Sequence, residues 1–156
     1  MKYICPLIVV SDINKARKFY EDILKQKVKI DFGENITFEG DFALHLKSHY
    51  KDLVNCPEEE ILLKSHNGEL YFESDSIEED YERIKRTGTE FLHGLREQPW
   101  RQYVTRFYDP DGHIVEVGES IQALVSRLKK EGMDKEGISA ATSLPLVFVE
   151  TLYREL

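Results

Sequence analysis

The sequence predicts an α+β protein made of two consecutive βαβββ units followed by a short C-terminal helical extension. Three observations predict it. A strand-like run ending in Ser-Asp and leading into an amphipathic helix occurs twice, with Asp12 and Asp75 at equivalent points. Each helix is followed by three short strand candidates separated by turn residues. From Glu119 onward the pattern changes to helical spacing alone.

The first unit covers about residues 1–56. Tyr3 to Val10 is a β-branched apolar run, and Ser11-Asp12 after it can cap a helix. Ile13, Ala16, Phe19, Tyr20 and Ile23 then recur at helical spacing, with charged residues between them. Strands are expected at Val28–Phe32, Ile36–Phe38 and Phe42–Leu46, with Gly33 and Gly40 as turns. Lys47 to Asn67 carries Pro57 and three consecutive glutamates, and reads as a loop with some strand near Ile61–Leu63.

The second unit covers about 57–118. Glu69–Ser74 reads as its first strand, and Ser76 with Glu79 has capping-box spacing before a helix through Ile77, Tyr81 and Ile84 that closes at Gly88. Strands are expected at Glu90–Leu92, Tyr103–Tyr108 and His113–Val117. Asp109-Pro110-Asp111-Gly112 forms the last turn, where proline fixes φ and glycine supplies a positive φ. In the extension, 119–156, three helices are expected: one through Ile121, Leu124, Val125 and Leu128, one capped by Asp134, and one opened by Pro145. Each is too short to persist alone in water, so all must pack on something.

Composition narrows the function. A net charge of −8 opposes binding to nucleic acid or anionic membrane, both of which need a positive surface. Two cysteines, Cys5 and Cys56, make no disulfide framework, and the apolar start is too short to span a bilayer; a cytoplasmic location is expected. The segment Gly132–Pro145 resembles the helix–turn–helix rhythm of bacterial regulatory tails. Residues 119–156 nevertheless hold five basic and six acidic side chains, and the last helix has no basic residue before Arg154. Packing or dimerisation is the better reading of the extension.

Two stretches carry a family likeness. Val10-Ser11-Asp12-Ile13, Ala16, Phe19-Tyr20 and Leu24 resemble the opening V-x-D-x-x-x-A/S-x-x-F-Y-x-x-x-L of the glyoxalase/bleomycin-resistance (vicinal oxygen chelate) proteins. Arg106 to Val117, containing Phe107, Asp109-Pro110-Asp111-Gly112 and Glu116, is similar to that family's closing strand pair. The resemblance covers about residues 3–118. It implies that each unit forms half of a cupped mixed sheet, that the pair makes a cleft, and that the chain is a homodimer acting on a small molecule.

The resemblance also places candidate metal ligands at Cys5, His45, Glu69 and Glu116. His45 and the two glutamates suit a divalent ion such as Zn, Ni, Mn or Fe. Cys5 departs from the pattern and reads more readily as a packed thiol than as a ligand. His45 reads also as a pocket histidine, Glu69 as a solvated turn residue, and Glu116 as a structural or binding carboxylate. Strand alternation supports a shared face: Ala43 with His45, and Ile114 with Glu116. Glu116 and Glu69 are the candidate proton-moving groups of a metal-assisted isomerase or lyase. Trp100, Arg101, Tyr103, Tyr71 and Arg106 are the candidate substrate contacts, aromatics beside guanidinium groups that suit a planar or anionic molecule. Trp100 reads also as the anchor of a surface loop. The alternative function is a binding protein without chemistry, sequestering a drug-like ligand as bleomycin-resistance proteins do.

Overall fold

In the computed structural model, which describes residues 1–155, the chain forms two four-stranded sheets with the same strand order. The first comprises β1 (Leu7–Val10), β2 (Val28–Asp31), β3 (Asn35–Phe38) and β4 (Ala43–Leu46), in the order β1-β4-β3-β2. β1 runs parallel to β4, with Val9 opposite His45, while β3 is antiparallel to both of its neighbours. The second comprises β5 (Glu69–Ser74), β6 (Phe91–Glu97), β7 (Tyr103–Tyr108) and β8 (Ile114–Glu119), in the order β5-β8-β7-β6. Repetition of one order in two sheets is the duplicated α+β architecture that the Ser-Asp landmarks predict.

Residues 1–68 with the turn 108–114 form one unit by their contacts, and residues 69–107 with 115–155 form the other. In the first, α1 (Ile13–Asp22) begins at Asp12, whose carboxylate accepts from the amides of Asn14 and Lys15. The helix buries Ala16, Phe19 and Tyr20. Tyr20 packs against Phe38 and Phe42, whose rings stack 4.6 Å apart, so this aromatic cluster closes the unit's core. The Tyr20 hydroxyl donates to Asp109 at 3.0 Å, and His113 Nδ1 lies 2.9 Å from the same carboxylate.

In the second unit, α3 (Ile77–Lys85) buries Ile77 and Ile84, and Tyr81 meets Phe91 edge-on. The three terminal helices, α4 (Ile121–Lys130), α5 (Lys135–Thr142) and α6 (Leu146–Glu155), share a small core of Leu124, Val125, Leu128, Ile138 and Val149. Ser120 and Asp134 cap α4 and α5 with their side chains. No helix among the described residues is long and apolar enough to cross a membrane.

Four details differ from the sequence reading. β1 starts at Leu7, leaving Tyr3–Pro6 outside the strand; Pro6 has no N–H to continue the ladder, although its carbonyl accepts from Ala43. Cys5, a predicted ligand position, therefore falls outside the strand. Lys47 to Val54 is a helix, α2, ending at Asn55 in the left-handed region. It is followed by a 3₁₀ turn at Glu58–Glu60 with no strand near Ile61. The Ser76–Glu79 box is not made. Ser74 acts instead, accepting from the Ser76 amide at 3.0 Å and donating to Asp80 at 2.7 Å. Finally, β6 runs on to Glu97, because pairing with β7 tolerates irregular register around His93.

Candidate functional site

The second sheet has two chemically different faces. Phe107 meets Phe91 on the α3 side, and Tyr103 lies under the Arg127 guanidinium of α4, 4.5 Å from its ring centre. Alternation then directs Arg106 of β7 to the opposite face. There the four strands each contribute one side chain to a single row. Arg106 Nε donates to Glu69 Oε2 of β5 at 2.9 Å, Nη2 lies directly against Glu116 Oε2 of β8, and Nη1 is 3.3 Å from His93 Nε2 of β6. Glu116 is nearly buried, Arg106 partly, and Glu69 reaches solvent.

Beside the row runs a second chain of polar groups. Trp100 Nε1 donates to Gln102 Oε1 at 2.9 Å, Gln102 Nε2 donates to the Tyr71 hydroxyl at 3.0 Å, and that hydroxyl donates to Glu73 at 3.1 Å. Gln102 also donates to the Glu119 carbonyl. Tyr71 lies over Gly118, where a Cβ would stand 3.0 Å from the ring, so the glycine makes room for it. Burial raises the Tyr71 hydroxyl above its ordinary pKa; Gln102 acts against this and Glu73 adds to it. Tyr71 and Trp100 nevertheless leave nearly half of their surface exposed.

The predicted contacts thus divide. Tyr71, Trp100, Arg106, Glu69 and Glu116 belong to these two chains of groups. Arg101 instead pairs with Glu97 at 2.7 Å and Glu131 at 3.2 Å, and its backbone sits at φ 70°. Tyr103 packs on the α4 side. Both belong to the network around Arg127, which also holds Glu119 at 2.9 Å and the Arg101 carbonyl at 2.6 Å. Arg127 is buried enough to be penalised, but its bonds to Glu119 and Glu131 more than compensate and raise its pKa.

His45 belongs to the first unit. Asn35 Nδ2 donates to the Leu44 carbonyl, which fixes the amide orientation, and so also donates to His45 Nδ1 at 3.2 Å. The ring proton of His45 is then on Nε2, directed at His49 Nδ1 2.9 Å away. Burial, and secondarily the neighbouring His49 ring, lower the His45 pKa against the pull of Glu34.

Three of the four donors that the family likeness assigns to a metal, Glu69, Glu116 and His45, are therefore engaged with protein partners. Glu69 and Glu116 are held by one guanidinium, both His45 nitrogens are bonded, and Cys5 precedes its strand. No group of three or more His, Cys, Asp or Glu among the described residues is arranged to hold a metal ion. Within the second unit, the Arg106 guanidinium occupies the side of Glu69 and Glu116 on which an ion would sit, so this carboxylate pair as folded does not fit a metal.

Sequence reasoning missed His93, Gln102, Asn35 and His49 as partners. The four-residue spacing of His45 and His49 was an available signal. His93 was hidden by the irregular register of β6, which breaks simple alternation.

Comparison with known proteins agrees with the architecture. The glyoxalase-like domain matches residues 3–122. The metallothiol transferase FosB of Staphylococcus saprophyticus is 31% identical over 109 residues, covering 69% of this chain and 70% of that protein. A protein of unknown function from Agrobacterium tumefaciens is 37% identical, with a TM-score of 0.69 over 78% of this chain and 95% of that one. A lactoylglutathione lyase from A. tumefaciens shares the fold at 22% identity, with a TM-score of 0.58 over 77% of this chain and 95% of its own. Duplicated strand order, matched domain and relatives together make this chain a member of the glyoxalase-like family, within the glyoxalase/bleomycin-resistance/dioxygenase superfamily.

Proposed function

We propose that this protein binds a small organic molecule on the face of the second sheet that carries Glu69, Tyr71, Arg106 and Glu116, sequestering it as a bleomycin-resistance type protein does. The observation that carries this reading is the charged row lying on the same face as a half-exposed tyrosine, with Trp100 joined to it through Gln102. Glu69, Glu73 and Glu116 supply three carboxylates against the one guanidinium of Arg106. That balance favours a ligand bearing a basic nitrogen, and the two aromatic rings favour a planar group next to it.

Calorimetric titration of chelator-treated protein with planar amines, and with their neutral and acidic counterparts, tests the proposal. Micromolar binding of amines, weakened by Tyr71→Ala and Glu73→Gln, is the expected result. Binding of none of the amines, or preference for the acids, overturns it.

A second reading has support in the likeness to a metallothiol transferase: a metal-assisted isomerase or lyase in which Glu116 or Glu69 moves a proton. Arg106 stands against it. Stoichiometric metal in protein purified without an affinity tag, lost in Glu116→Ala, would favour this second reading. The likeness also proposes a homodimer binding its ligand in the cytoplasm, and sedimentation velocity decides the oligomeric part.

A further inference from the structure

The hairpin between β6 and β7 carries Trp100 on a turn whose backbone does not suit its sequence. The Arg101 amide donates to the Gln98 carbonyl and the Gln98 amide to the Gln102 carbonyl, both at 2.8 Å, so Pro99 and Trp100 form the tip of a tight turn. Arg101 closes it at φ 70°, a left-handed position that favours glycine. A long cation stands there instead. Its guanidinium reaches Glu97 of β6 at 2.7 Å and Glu131, the residue that ends α4, at 3.2 Å. Its carbonyl accepts from Arg127 of α4 at 2.6 Å. The turn is thus tied to α4 through both a side chain and the backbone.

The same helix reaches the group from which the indole hangs. Arg127 grips both carboxylate oxygens of buried Glu119, at 3.0 and 2.9 Å, and the Glu119 carbonyl accepts from Gln102 Nε2 at 2.7 Å. A carbonyl only accepts, so this bond fixes the orientation of the buried Gln102 amide: Oε1 takes the Trp100 N–H, and Nε2 serves the Tyr71 hydroxyl.

We infer that α4 is a positioning clasp for Trp100: Arg127 and Glu131 hold the β6–β7 turn, and Arg127 with Glu119 steadies Gln102, so that the indole and the Tyr71 ring are set before any ligand arrives. Arg101 occupies a glycine position because the clasp uses its side chain. α4 lies almost entirely past residue 122, so the clasp is a contribution of the extension rather than of the family domain. Its benefit is preorganisation, since a turn that is already ordered loses less freedom when a planar group docks.

The consequence for binding rests on the proposed ligand face, but the clasp itself is read without ligand, because Trp100 is the chain's only tryptophan. Acrylamide quenching of its fluorescence is measured in wild type, Arg101→Gly, Arg101→Lys and Arg127→Met/Glu119→Gln, alongside thermal melting and calorimetric titration with the planar amines. Glycine relieves the left-handed backbone, so Arg101→Gly is expected to melt near wild type while Trp100 is quenched about twofold more readily. Arg101→Lys keeps the cation and is expected to stay close to wild type. The double variant strands no buried charge and reports on the α4 side should Arg101→Gly fail to fold.

Where wild type binds an amine, both loosened variants are expected to bind it about threefold to tenfold more weakly. Unchanged quenching in the folded variants overturns the inference. So does quenching that rises only with a lowered Tm, or amine affinity that is unchanged once Trp100 is loosened. Amine binding by none of the proteins overturns the ligand face alone and leaves the quenching to decide the clasp.

Discussion

Buried Tyr20 and Asp109 show how one hydroxyl and one carboxylate can organise a turn. Asp109 accepts from Tyr20, from His113 Nδ1, and from the amides of Asp111 and His113. Tyr20→Phe removes one bond to a buried charge and is expected to cost about 2 kcal/mol in urea denaturation. The histidines add a pH signature. Burial works to lower the His113 pKa, but the bond to Asp109 and the charges of Asp109 and Asp111 outweigh it and raise the value above 6.5. Stability from this pair is therefore full below about pH 6.5 and lost as pH rises through the raised value. His45 has the opposite sign: its lowered pKa gives stability present above about pH 6.5 and lost as pH falls through the depressed value. Denaturation midpoints measured across pH are expected to flatten on the alkaline side in His113→Gln and on the acid side in His45→Gln. The same slope in both variants would refute the assignment. Residue-scale chemistry was only partly legible in the sequence. The type of Glu69, Glu116 and His45 is visible there; the partner that occupies each is set by cross-strand register.

Among the elements, α4 has the most specific attachment. Arg127 joins Glu119 of β8, Glu131 one turn later and the Arg101 carbonyl, and it covers the Tyr103 ring. Glu119 is buried, so Arg127→Met leaves a carboxylate without its main counterion. A loss of about 3 kcal/mol is expected, much of it recovered in Arg127→Met/Glu119→Gln, because the cost lies in the stranded charge rather than the missing contact. Val149 is likewise fully buried in the three-helix core, and Val149→Asp is expected to detach α6, read as lost helical circular dichroism and faster proteolysis there. Helix periodicity made α1 and α4 to α6 readable, since their apolar stripes coincide with what they bury. α2 was not readable: it buries no residue, and the segment that contains it runs on into Pro57 and three glutamates, which read as loop. The ends of β1 and β6 were obscured by Pro6 and by irregular pairing, both of which act through the neighbouring strand.

At the scale of the whole molecule, duplication explains why two widely separated Ser-Asp pairs predicted the architecture so well. Each βαβββ unit needs its helix to enter at the same point. The acidic balance of the chain leads to a further expectation: duplex DNA should not associate even at low salt, where electrostatic attraction is strongest. Retention that weakens with added salt would show that a local basic patch overrides the net charge. The strand order β1-β4-β3-β2 also bears on how the first unit is made. β1 leaves the ribosome first, yet its partner β4 follows only after α1 and two further strands. The parallel pairing of Leu7 with Ala43 therefore closes a long loop, a slow step compared with the β2–β3 and β3–β4 hairpins. During synthesis the hairpins can form while β1 waits with its backbone unpaired, so a nascent chain halted before Ala43 carries an open strand edge and is the stage most exposed to misassembly.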